Sequence, residues 1–169
     1  HMKPETLNTK DVFGNTTLHY AVGRNMPELV DFLLSNVEFK VSSAFNNYGE
    51  TAIFMLLDNS CPLKEEDKLA AKKILKMLLD NRFSLFQKNI SGFSFPALAM
   101  ALPNTEHLNE VLEENLTPMH KQIFSKEALL VKAEMDRGDK NKLYASIQRN
   151  GYWTNECRHF DSKDTVKTQ

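Results

Sequence analysis

Cysteine is almost missing from this chain, with two in 169 residues, at positions 61 and 157. Two thiols so far apart make no disulfide framework, so a reducing compartment is expected. Long apolar runs are missing too. The longest, Ala52 to Leu57 and Ala97 to Leu102, are six residues each, against the roughly 20 that a membrane helix needs. Neither sign of charge dominates, because 21 Lys+Arg stand against 22 Asp+Glu. That balance excludes a whole-chain basic field for nucleic acid. Residues 3–11 are polar and charged, so no secretory leader is expected there and the expected location is cytoplasmic. No Gly-rich phosphate loop or nucleophile elbow occurs either. What is present, 41% hydrophobic and 25% charged residues, is the composition of an ordinary globular chain.

The order of the residues carries more than their proportions. Asp11-Val12-Phe13-Gly14-Asn15-Thr16-Thr17-Leu18-His19-Tyr20-Ala21 is followed by a turn at Arg24-Asn25 and then by Leu29 to Leu34. A second copy begins 35 residues later with Asn46-Asn47-Tyr48-Gly49-Glu50-Thr51-Ala52-Ile53 and closes with Ile74 to Leu79. A third, Asn89-Ile90-Ser91-Gly92-Phe93-Ser94, lies 78 residues from the first, and Leu108, Val111 and Leu112 keep that offset from Val30, Leu33 and Leu34. Each copy joins two short apolar segments by a turn, and the second segment has the spacing of an amphipathic helix. Asn25-Met26-Pro27-Glu28 reads as an N-cap followed by Pro in the first turn. Gly14, Gly49 and Gly92 each follow an Asp or Asn by three residues, as a turn with one residue at positive φ requires. The expected unit is turn, short helix, turn, longer helix. Copy two carries about ten extra residues near 58–68, where Lys64 to Lys68 can extend the second helix by one to two turns.

These residues resemble the ankyrin repeat, whose pattern runs Asp, Gly three on, Thr-Pro-Leu-His, a small pair and a later Val-x-x-Leu-Leu. Copy one matches through Asp11, Gly14, Thr16, Leu18, His19, Ala21, Val30, Leu33 and Leu34, and departs at Thr17, where the family favours Pro. Phe54 and Ala97 replace the His in copies two and three. The resemblance implies an all-α ankyrin-repeat solenoid of helix-turn-helix units with short β-hairpin or turn fingers. Its divisions are a tag remnant and leader over 1–10, repeats over 11–44, 45–84 and 85–116, a degenerate repeat or helical cap over 117–153, and a polar tail over 154–169. Residues 118–150 are expected to form two or three helices, with Asp139 as an N-cap and Gly151 as a stop. The expected core is Leu18, Ala21, Val30, Leu33, Leu34, Ile53, Leu57, Ile74, Leu78, Leu79, Leu98, Leu108, Val111 and Leu112.

The resemblance also implies a non-catalytic protein-binding module that uses its concave finger and inner-helix side. Carried over by position, the partner-binding residues are Val12, Phe13, Asn15 and Arg24, then Asn47, Tyr48, Glu50 and Asn59, then Ile90, Ser91 and Phe93. The partner implied is another protein, presenting an extended segment or a helix, with no nucleic acid, no membrane insertion and a monomeric chain. Sixteen Lys to five Arg and 15 Asn are a bias toward A/T-rich codons. By analogy this gives the expectation of a bacterial effector delivered into a host cytoplasm and acting on host proteins.

Two other readings stay open, a targeting segment of a larger enzyme and a Cys-dependent enzyme. Cys61 lies in a charged insertion and Cys157 in a polar tail, so neither has the surroundings of an activated thiol. Cys157-Arg158-His159 offers two metal ligands, too few for a site, and no catalytic residue, metal or cofactor is expected. His19 is read as a structural hydrogen-bonding residue, and His107 and His120 as helix-surface residues. Lys64, Lys68, Lys72, Lys73 and Lys76 are interleaved with Glu65, Glu66 and Asp67, the pattern of a solvated helix face.

Overall fold

Three turns of one design set the frame of the molecule, whose computed structural model describes residues 9–36, 44–57 and 63–136. They span 11–15, 46–50 and 89–93. In each, the side-chain Oδ1 of the first residue accepts the backbone N–H groups two and four residues on: Asp11 from Phe13 and Asn15, Asn46 from Tyr48 and Glu50, Asn89 from Ser91 and Phe93. The N–H of that first residue donates to the carbonyl of the fifth at 3.0 Å in all three. An Asp or Asn at this place closes the loop with its own side chain, and the glycine supplies the positive φ, +80°, +72° and +87° at Gly14, Gly49 and Gly92.

Gly14 has a second duty. A Cβ there would lie 2.5 Å from Asn47 Oδ1 and 2.7 Å from Asn47 N, whereas one on Gly92 would meet nothing within 4 Å. Both positions strain an L residue by about 1–2 kcal/mol, but only Gly14 must also let the next turn approach. Gly14→Ala should therefore destabilise the protein by at least about 1 kcal/mol more than Gly92→Ala, as read from urea midpoints.

Each turn feeds a pair of helices. Helix α1, Thr17–Gly23, starts at a capping box in which Thr16 Oγ1 accepts His19 N–H and Thr16 N–H donates to His19 Nδ1. It stops where Asn25 turns left-handed, at φ 59°, with Met26 N–H on Ala21 O and Asn25 N–H on Val22 O. That is a Schellman closure. Asn25 therefore ends α1 and is not the N-cap of the next helix, α2 (Pro27–Ser35), whose N-cap is Met26. Asn tolerates the left-handed region, and its Nδ2 is used on Asp67 O at 3.0 Å.

The first segment of the second unit is a 3-10 helix, Ala52–Leu57, with all but Leu56 buried. Packing holds this run from both sides, so a shape of low intrinsic stability suffices. Helix α3, Glu65–Asp80, puts Glu65, Glu66 and Asp67 at its positive end and buries Ala71, Ile74, Leu75 and Leu78. Its 16 residues against the nine of α2 realise the extension expected of the charged insertion. Another Schellman closure ends it, with Arg82 at φ 66°, Phe83 N–H on Leu78 O, and Phe83 buried. Helices α4, Phe95–Ala101, and α5, Glu106–Asn115, complete the third unit. Thr105 at the N-cap of α5 donates its hydroxyl to Ala99 O and Leu102 O, tying the two together.

The packing partners make two rows. In one, α1 lies on the 3-10 helix and the 3-10 helix on α4; in the other, α2 lies on α3 and α3 on α5. Leu18, Val30, Leu33, Ile53, Leu57, Ile74, Leu78, Leu98, Leu108, Val111 and Leu112 fill the space between rows, as expected, while Leu34 and Leu79 are only partly buried. The one β-bridge outside named strands among the described residues joins Lys88 to Ser94.

After Leu116 and Thr117 the chain enters α6, Pro118–Asp136, with no turn of the earlier kind between. Residues 118–136 are one helix, where two or three were expected for 118–150, and 137–150 lie outside the described residues. Helix α6 packs on α4 and so takes the next place in the first row. Phe124, Ala128 and Val131 form its buried face. Glu127 Oε2 accepts both the backbone N–H (2.6 Å) and the hydroxyl (2.9 Å) of Ser94, the N-cap of α4. No helix among the described residues is long and apolar enough to cross a membrane.

Candidate partner-binding face

The turns stack edge to edge through their backbones. Asn47 N–H donates to Phe13 O at 3.0 Å, and Ile90 N–H donates to Tyr48 O at 2.9 Å. Asn47 Nδ2 also reaches Val12 O at 2.9 Å. Beneath this edge the first Asn of one turn reaches the last residue of the turn before. Asn46 Nδ2 donates to Asn15 Oδ1 at 2.9 Å, and Asn89 Nδ2 donates to Glu50 Oε2 at 3.2 Å.

This pairing corrects two of the expected partner-binding residues. Asn15 and Glu50 are buried, at 1% and 0% exposure, because each serves the neighbouring turn instead of facing outward. Asn47 is exposed, but its amide holds the first turn to the second. Val12 and Ile90 are the outward apolar residues of the row, 81% and 68% exposed. Phe13, Tyr48, Ser91 and Phe93 are half-buried beside them. Arg24 is exposed, yet it sits at the C-terminal end of α1 and away from the turns. Asn59 lies outside the described residues.

A further row went unread in the sequence. Lys10, Phe45 and Lys88 each precede the Asp or Asn that opens a turn, and all three are exposed. Lys10 Nζ donates to Phe45 O at 2.9 Å and stands 5.8 Å from the Phe45 ring centre, within cation–π reach. Their shared register, one residue ahead of each turn, was the signal available.

Electrostatics under the turns are unusual. Burial pushes the Glu50 carboxyl up to about 8, opposed by its hydrogen bonds with Asn89 and Asn46, and Oε1 has no hydrogen-bond partner. Glu50 is accordingly a neutral acid near pH 7. Burial likewise lowers His19 to about 4, against the raising effect of the Glu50 backbone carbonyl. Its tautomer follows from its partners. Thr16 N–H can only donate, so Nδ1 accepts, and Nε2 must carry the hydrogen it gives to Glu50 O at 2.8 Å. His19 thus joins the first unit to the second. At the second junction, Phe54 meets Phe95 edge to face, with ring centres 6.4 Å apart.

Of the other histidines, His107 departs from the expected helix surface. His107 is buried at 6% exposure, with neither ring nitrogen hydrogen-bonded; burial first, then Lys68, lowers its pKa. His120 is half-buried with its ring against Phe86 at 4.9 Å. Of the lysines on α3, Lys72 is paired with Glu110 of α5 at 2.7 Å. Among the described residues, no group of three or more His, Cys, Asp or Glu converges. Cys61, Cys157 and His159 lie outside them. A cleft of about 200 Å³ between α4, α5 and α6, lined by Met100, Leu112 and Leu116, is crossed by the Lys121–Glu113 ion pair. No protein-family model matches this chain, and a search of curated proteins finds no match.

Proposed function

We propose that this chain is a non-catalytic, ankyrin-like repeat module, monomeric and cytoplasmic, that binds an extended segment or helix of another protein along its row of turns. The observation that carries the reading is the placement of Val12 and Ile90, large apolar side chains held outward on turns whose own residues are fully used in fixing them. Rigid apolar side chains on a pre-formed scaffold lose little entropy on binding, which is where contact energy concentrates. Phe13, Tyr48 and Phe93 beside them add aromatic area at the same edge. With a net charge of only −1 to steer association, recognition rests on shape and apolar contact. The excess of Lys and Asn, residues with A/T-rich codons, supports the narrower reading of a bacterial effector acting on host proteins.

The test is a purified partner recovered by affinity capture, titrated against wild type and against Val12→Ser/Ile90→Ser. Both substitutions leave the backbone ties of the turns in place. The double variant should bind at least tenfold more weakly, about 1.4 kcal/mol. Equal affinity, with an unchanged circular dichroism spectrum, would remove the turns from the binding face.

A further inference from the structure

The chain's charge of −1 conceals a different balance along the turns. Across residues 9–15, 44–50 and 88–94 the charged side chains are Lys10, Asp11, Glu50 and Lys88, and the two acids serve their own fold. Asp11 accepts two N–H groups of its turn and the hydroxyl of Tyr20, and Glu50 is buried with Oε2 on Asn89. Glu127, the acid that α6 brings to the base of the third turn, is engaged by Ser94. The charge that this edge shows outward is that of the two exposed lysines.

Their placement repeats. Lys10 precedes the outward Val12 by two residues and Lys88 precedes the outward Ile90 by two, on either side of the Asp or Asn that closes the turn. Between them stands Phe45, 46% exposed at the same register. Lys10 is held in place, since its Nζ donates to Phe45 O at 2.9 Å and lies against that ring, which leaves two N–H groups for a ligand. The ladder sets the spacing. Each turn has two limbs about 4.8 Å apart, so Lys10 and Lys88, four limb spacings apart, are separated by about 19 Å. An extended chain rising about 3.3 Å per residue crosses that in about six residues, an even number that returns its side chains to the same face.

We propose that the segment bound along the turns is acidic, an extended stretch of another protein with Asp or Glu about six residues apart, one on Lys10 and one on Lys88, and apolar side chains between them over Phe45. The inference rests on the reading of the turns as a binding edge and adds the sign and spacing of what they take. Two ammonium groups do little beyond a Debye length of about 8–10 Å, so they select at contact and leave the encounter unsteered. Single-stranded nucleic acid fits less well. Its bases need a run of open rings, and here one ring, Phe45, already carries Lys10 on its face.

Random twelve-residue peptides displayed on phage and selected on the full chain test it. The enriched peptides should be acidic, with the expected spacing. Synthesised and titrated, they should bind Lys10→Ala/Lys88→Ala at least fivefold more weakly, and Lys88→Glu, which leaves the Lys10 tie in place, by a similar factor. Their affinity for wild type should fall with salt, and that dependence should shrink in the double variant. Neutral or basic peptides that still lose affinity for Val12→Ser/Ile90→Ser would overturn the acidic partner and leave the turns as the binding edge. Peptides insensitive to both pairs of substitutions would overturn both readings. Acidic peptides that bind the lysine variants as tightly as wild type overturn the proposal too, as does an oligo(dT) strand that binds more tightly than any of them.

Discussion

Between pH 6.5 and 8 the protein should lose stability steadily as pH rises, and Glu50→Gln should remove most of that loss. The Glu50 carboxyl titrates at about 8 when folded and near 4.5 otherwise. Across that interval the unfolded chain has released a proton that the folded chain retains, so rising pH favours unfolding, by up to about 1.4 kcal/mol per pH unit. His19 works in the other direction. Its folded value of about 4 lies below its ordinary 6.5, so its contribution is complete above pH 6.5 and is lost as pH falls toward 4. His107, also lowered, adds to the acid side. From pH 4.5 to 6.5 the Glu50 and His19 slopes oppose each other, and stability should be nearly level. Above 6.5 only Glu50 remains, and the loss between pH 6.5 and 8 is about 2 kcal/mol at most. The Lys72–Glu110 pair is exposed, with Lys72 shifted up and Glu110 down, so it titrates outside this window. Urea midpoints at pH 6.5 and 8 for wild type and Glu50→Gln decide the matter. Equal slopes in the two proteins would mean that Glu50 is not the group responsible.

Phe54→Ala should cost about 3–5 kcal/mol. The side chain is fully buried, and its removal leaves a hole between the 3-10 helix and α4 that neither short helix can close by moving. Part of the loss is specific to the ring pair with Phe95, for which edge-to-face contacts contribute about 0.5–1.5 kcal/mol beyond burial. A double-mutant cycle with Phe95→Ala isolates that part. Additive losses in chemical denaturation would show that the two rings stabilise the junction by area alone.

Much of this arrangement was legible in the chain. The turns could be read because a positive φ leaves its mark on one residue: Gly14, Gly49 and Gly92 stand at fixed distance after an Asp or Asn. Helical periodicity placed the Leu and Val core, and the charged run before Leu69 lengthened α3 as expected. Asn15 and Glu50 were misread for a physical reason. A polar residue beside a turn glycine normally faces water, and what buries these two is an amide more than 30 residues away on the next turn. Nothing local announces a contact of that range. His107 is similar, since its helix shows one apolar stripe and the packing against α3 extends past it. Asn25 could serve either neighbouring helix, and the tie to Asp67 accompanies its place at the end of α1. For the chain after Thr117 the described residues show one helix, and its tie from Glu127 to Ser94, 33 residues back, has no local sign either.

The backbone ladder across the turns has one further consequence. Each turn gives its carbonyl to the N–H of the turn that follows, Phe13 to Asn47 and Tyr48 to Ile90, so the stack has a sense of direction. A whole unit copied in tandem between two existing ones would preserve this donor-to-acceptor order. Inverting a unit would set donor against donor at one side and acceptor against acceptor at the other. Lengthening by duplication is therefore compatible with the ladder, whereas a symmetric pairing of two turns about a two-fold axis is not.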